Sequence, residues 1–163
     1  MKHTISILVE NHAGVLARVA GLFARRGFNI DSLAVGVTED EKISRITIIA
    51  DGTAYTLEQI EKQLNKLIDV IKVRHLPAEE LLSRELVLIK VACQPSQRAE
   101  LISLAEIAKA KISDITVNTM TLELSDSVPR IKTFEEILRP YGIKETVRTG
   151  SIAMQKGGAS MKL

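Results

Sequence analysis

Aromatic side chains are scarce in this sequence: three Phe, two Tyr and no Trp among 163 residues. Modules that read single-stranded RNA on a sheet stack its bases on aromatic residues of the strands. Here Phe23, Tyr55 and Phe134 fall on predicted helices or their starts, while Phe28 and Tyr141 lie beside glycines in turns. No stacking platform is left. An excess of one charge is also missing, since 22 Lys and Arg stand against 20 Asp and Glu, interspersed along the chain, for a net charge of +2. That pattern offers no electrostatic footprint for nucleic acid or an anionic membrane. Cys93 is the single cysteine, which excludes an internal disulfide framework, a two-cysteine redox motif and a multi-cysteine metal site. It reads as an inert strand thiol. Long apolar runs are absent: "HTISILVE" is too short and interrupted for a signal peptide, and nothing later reaches the ~18 apolar residues of a membrane helix. The expected location is the cytoplasm. The histidines at 3, 12 and 75 do not pair at helical or strand spacing, and no Ser/His/Asp, Cys/His or metal-spaced cluster appears. A stand-alone enzyme needs such a cluster, so the chain is expected to hold no catalytic residue and no metal.

What is present, 45% hydrophobic and 26% charged residues, is the composition of a soluble globular protein. Ile5, Ile7 and Val9 alternate as one face of a strand, and Leu16, Val19, Ala20 and Phe23 follow at helical spacing. "NIDSLAVGVT" and "KISRITIIAD" read as two strands joined by the acidic turn Glu39-Asp40-Glu41. A second helix carries Leu57, Ile60, Leu64, Leu67 and Ile68 on one stripe, and "VIKVRHL" closes the unit as a fourth strand. At Pro77 a polar connection begins and the order restarts: strand "ELVLIKVAC", a helix over 96–110, strands "ISDITVNT" and "MTLELS", a helix with Ile131, Phe134 and Leu138, and strand "IKETVRT". The same βαββαβ order occurs twice, which gives an α+β protein of two ferredoxin-like units, 1–77 and 78–163. In that arrangement two helices cover one sheet face, so the other must be solvated or buried by a partner. The tail "QKGGASMKL", with two adjacent glycines and no period, is expected to be flexible.

The junction after the first strand, "ENHAGVL", admits two readings. Asn11 and Gly14 can simply make a turn. Alternatively, a helix starting at Gly14 or Val15 offers unpaired N–H groups and its positive dipole end to a carboxylate. Gly14 then permits close approach, and the Asn11 amide supplies both a donor and an acceptor. Asn29, after Gly27 at the next strand's start, adds a further amide for the ammonium end of an amino acid. The second unit is an internal control: its junction "VACQPSQRAE" needs a turn too, but has no Asn-x-x-Gly, and its next strand starts "KISDI" instead of "GFNID". The contrast favours a ligand site confined to the first unit.

The run "ILVEN-x-x-GVL-x-RV-x-GLF-x-RRGFNI-x-SL", with "SRITI" and "EQIEKQLNKLIDV" after it, resembles the small regulatory subunit family of acetohydroxyacid synthase, also called acetolactate synthase. The likeness is dense over 3–76 and looser beyond. It implies that 1–77 form an ACT domain, a ferredoxin-like module that binds an amino acid at a homodimer interface. The implied ligand is valine or another branched-chain amino acid. The implied site consists of Asn11, Ala13, Gly14, Val15 and Leu16 of one chain with Asn29 and Ile30 of its mate. It further implies a non-catalytic chain that activates a catalytic large subunit and confers feedback inhibition, while thiamine diphosphate, FAD and magnesium belong to that large subunit. An ACT sensor of a different biosynthetic enzyme is the alternative. In the second unit, Ser113, Asp114, Thr116 and Asn118 form a polar strand face that either meets the large subunit or is solvated.

Overall fold

The computed structural model describes residues 1–162. In the first unit β1 (Lys2–Glu10) leads through α1 (Val15–Arg25) to a hairpin of β2 (Ile30–Val37) and β3 (Ile43–Asp51), then α2 (Ala54–Leu64) and β4 (Val70–Leu76). The strands form one antiparallel sheet in the order β2-β3-β1-β4. Ile5 and Ile7 stand opposite Ile48 and Ile46 on the neighbouring β3. Together with Val9 they pack against Val15, Val19, Leu22 and Phe23 of α1 and Ile60 and Leu64 of α2. Each such side chain contributes about 1.5–3 kcal/mol on burial, which fixes the register, because a one-residue slip would turn the whole set outward. Thr53 starts α2, its hydroxyl accepting from the Thr56 N–H at 3.2 Å.

The second unit repeats the order with β5 (Leu81–Ala92), α3 (Arg98–Ala108), β6 (Lys111–Ile115), β7 (Thr119–Asp126), α4 (Val128–Leu138) and β8 (Ile143–Arg148). Its strands run β6-β7-β5-β8. Val87, Ile89, Val91, Leu122 and Leu124 pack with Leu101, Ala105, Ile131, Phe134 and Leu138. Cys93 is fully buried in this core. The doubled ferredoxin-like plan therefore holds, and no helix among the described residues is long and apolar enough to cross a membrane.

Three details differ from the sequence reading. The buried stripe of α1 is Val15, Val19, Leu22 and Phe23, and Leu16, expected inside, is 42% exposed. Ile68 lies beyond α2 and is exposed, since that helix ends at Leu64. The largest difference concerns the division at 77/78 and the tail. The compact first unit comprises Met1–Leu82 together with the chain from Ser151 onward, and Ser83–Gly150 make the second. A further strand, β9 (Ile152–Gln155), lies against β1 and β4 of the first unit.

The reason is visible in the hydrogen bonds. The Ser151 N–H donates to Ser32 Oγ at 2.8 Å, and Arg45 Nη2 donates to the Ala153 carbonyl at 2.8 Å. Arg74 Nη1 reaches Gln155 Oε1 and the Ser160 carbonyl, and Lys72 Nζ the Lys162 carbonyl. By register Arg45, Lys72 and Arg74 share the sheet face of Thr4, Ser6 and Leu8, opposite to the helices. The face expected to be solvated or covered by a partner is covered by the chain's own final segment. This is why every residue of β1 from Thr4 to Val9 is buried, whichever face it points to.

Candidate functional site

β1 ends at Glu10, and the loop that follows is tied down by Asn11. Its N–H donates to the Lys42 carbonyl at 2.8 Å and its Nδ2 to the Glu41 carbonyl at 2.7 Å. The side-chain carbonyl Oδ1 has no donor among the described residues. Gly14 follows at φ 87°, ψ −13°, the left-handed conformation that L side chains rarely adopt, and it caps α1 without a side-chain acceptor. The first turn holds no acidic residue. Arg18 N–H donates to the Gly14 carbonyl, while the N–H groups of Leu16 and Ala17 have no acceptor among the described residues. Asn11, Ala13, Gly14 and Leu16 are exposed here; Val15 is a core side chain, so only its backbone faces the loop.

Beside this loop stands a charged cluster with no counterpart in the sequence expectations. Asp69, just before β4, has a side chain only 13% exposed. Its Oδ2 takes both Nε and Nη2 of Arg18 at 2.6 Å. Its Oδ1 lies 2.9 Å from His12 Nε2, which is also 3.2 Å from Glu10 Oε2. His12 Nδ1 meets the Ala13 carbonyl at 3.2 Å. All these partners are acceptors, so both ring nitrogens are best satisfied as donors. The Ala13 carbonyl, then Glu10 and Asp69, accordingly raise the His12 pKa above its ordinary value. Ligand atoms of Glu10, His12 and Asp69 lie within 4.8 Å of one another, as a metal site requires, but Arg18 already neutralises Asp69.

Asn29 and Ile30 are elsewhere. Asn29 Nδ2 donates to Asp31 Oδ1 at 2.7 Å, and Asp31 pairs with Lys2 at 3.4 Å. Ile30 is half-buried against the core. Because β2 and β1 are both antiparallel to β3, they run the same way, and Ile30 opposes Ala50, which opposes His3. Asn29 thus flanks the start of β1 and Asn11 follows its end. The nine residues of β1, at about 3.3 Å each, put the two asparagines roughly 25 Å apart within one chain. The edge strand β2 ends in Val35, Gly36 and Val37, exposed and uncharged, with Leu16 of α1 also exposed. An unblunted edge of this kind is ready to pair.

Sequence reasoning missed Arg18 and Asp69. For Arg18 a signal existed: helical side chains lean toward the N-terminus, so the residue four after Gly14 reaches back over it. Asp69, 51 residues from Arg18, gave none.

Comparison with known proteins gives a consistent picture. Residues 5–72 match the model of the AHAS small subunit-like ACT domain, and residues 84–157 that of the small subunit of acetolactate synthase. The chain is 49% identical over 157 residues to a probable acetolactate synthase small subunit of Archaeoglobus fulgidus, covering 96% of this chain and 98% of that one. It is 44% identical over 155 residues to the acetolactate synthase small subunit of Mycobacterium leprae, covering 95% and 92%. The crystal structure of the acetolactate synthase small subunit from Thermotoga maritima superimposes with a TM-score of 0.91 at 38% identity, covering 98% of this chain and 99% of that one.

Proposed function

The chain belongs to the small-subunit family of acetolactate synthase, and we propose that it binds valine, or another branched-chain amino acid, to give feedback inhibition of a catalytic large subunit that it otherwise activates. As a small subunit it is the regulatory chain of that complex. In this reading it performs no chemistry itself, and thiamine diphosphate, FAD and magnesium are held by the large subunit. The observation that carries the reading is the Gly14 cap: uncapped N–H groups at Leu16 and Ala17 beside the unpaired Asn11 Oδ1. The first pair suits a carboxylate and the second an ammonium, so a zwitterion matches both. Asn29 and Ile30 of a second copy complete the pocket across a homodimer interface along β2.

The magnitudes suit a sensor. Burying a valine side chain contributes about 1.5–3 kcal/mol, and each charge-assisted hydrogen bond about 1.5–3, before ordering costs. Micromolar to millimolar affinity follows. Regulation further requires that valine favour one state of the complex, by about 1.4 kcal/mol per tenfold change.

The test is a calorimetric titration of the full chain with L-valine, with L-leucine and L-isoleucine as comparisons, followed by activity of the reconstituted complex. Saturable binding at one or two sites per dimer, with matching inhibition, is expected. Absence of binding by all three would overturn the reading.

A further inference from the structure

Arg18 is anchored along one edge only. Its Nε and Nη2 are both taken by Asp69 Oδ2 at 2.6 Å, and the nearly buried Asp69 is held in turn where its own carbonyl accepts the Glu10 N–H at 2.9 Å. The third nitrogen, Nη1, has no acceptor among the described residues, and it stands where a Cβ added to Gly14 would be 3.2 Å away. A guanidinium is rigid and planar, so fixing one edge aims the hydrogens of the other. The side chain is 48% exposed, so a ligand can reach it.

We propose that Arg18 is a direct ligand of the effector's α-carboxylate and that Asp69 is the positioning residue that holds it over Gly14. This rests on the reading that an amino acid binds at this loop. The charges make the arginine necessary. Glu10 and Asp69 both face the loop, from the end of β1 and from the residue before β4. Without Arg18 an incoming carboxylate would meet two negative groups offset only by His12. With it, Nη1 adds a hydrogen bond in which donor and acceptor are both charged to those that the uncharged α1 amides supply. The consequence is selectivity: the site distinguishes an amino acid from the same molecule lacking its carboxylate charge.

A purely structural role, in which Arg18 merely ties α1 to the segment before β4, predicts something different. Calorimetry of the full chain with L-valine and with L-valinamide separates the two. The wild-type chain should bind valine at least about tenfold more tightly than valinamide. Arg18→Gln should weaken valine about tenfold or more, leave valinamide nearly unchanged, and so collapse the ratio. Arg18→Lys, which keeps the charge without the fork, should restore part of it. Asp69→Asn should lower the ratio as well, and Asp69→Glu should recover it in part. An unchanged ratio in Arg18→Gln would overturn the proposal. A wild-type chain that binds none of valine, leucine and isoleucine would instead overturn the reading of the site, and this inference with it.

Discussion

Asn11 and Asn29 stand at opposite ends of the same sheet, one following the end of β1 and the other flanking its start. No side-chain motion within one chain closes about 25 Å. In the proposed homodimer, a two-fold axis beside the β2 edge would set the end of one chain's sheet against the start of the other's.

That geometry predicts complementation. Asn11→Ala and Asn29→Ala should each lower valine affinity about tenfold as separate dimers, for one lost charge-assisted hydrogen bond. When the two variants are unfolded and refolded together, mixed dimers contain one pocket with both asparagines intact. Random assortment then restores about one quarter of the wild-type number of tight sites. Calorimetry reads the stoichiometry directly, and no recovery on mixing would place both asparagines in separate sites.

The final segment should matter to the first unit rather than to the second. Ending the chain after Gly150 removes the acceptors at Ala153, Gln155, Ser160 and Lys162 and uncovers Thr4, Ser6 and Leu8. At about 1 kcal/mol net for each lost hydrogen bond, the first unit should lose about 3 kcal/mol or more. Hydrogen exchange should accelerate in β1 and β3, and in the part of β5 that pairs with β9, and stay unchanged in β6 and β7. Equal loss of protection in β1, β3, β6 and β7 would contradict this.

Acid should weaken the first unit through His75. Its ring lies 5.4 Å from that of His3, and burial, then the charge of His3, lowers its pKa below 6.5, with Glu61 and Glu79 opposing. A folded-state pKa below the unfolded value means that the unfolded chain takes up the proton first. Stability is therefore complete above the unfolded pKa and falls as pH drops through the ordinary histidine range. His12, whose pKa is raised, has the opposite sign and loses its contribution as pH rises through its folded value. The informative quantity is thus a difference: thermal unfolding from about pH 8 to about pH 5 should show a smaller acid loss in His75→Gln than in the wild-type chain. Parallel profiles would contradict the assignment.

Much of the architecture was legible because period and composition are local properties. Alternation of Ile5, Ile7 and Val9, the acidic turn at 39–41 and the restart of the order after Pro77 mark elements that fold as marked. Leu16 was misassigned because a helical stripe has two admissible phases until the sheet beneath it selects one, and the sheet selected Val15 and Val19. The contacts of the tail were illegible for another reason. "QKGGASMKL" carries no period, since what meets it is Lys72 and Arg74 donating to its carbonyl and amide oxygens, and main-chain acceptors leave no mark on the sequence.

The sequence by itself determined the doubled βαββαβ plan, the glycine that must stand at the start of α1 and the asparagines near the two ends of β1, because hydrophobic period and backbone stereochemistry are written residue by residue. Only the tertiary structure decided that those asparagines lie at opposite ends of one sheet, that the last dozen residues return to the first unit, and that Asp69 meets Arg18 and His12 above Gly14. These are contacts between residues far apart in the chain, and strand order and register alone bring them together.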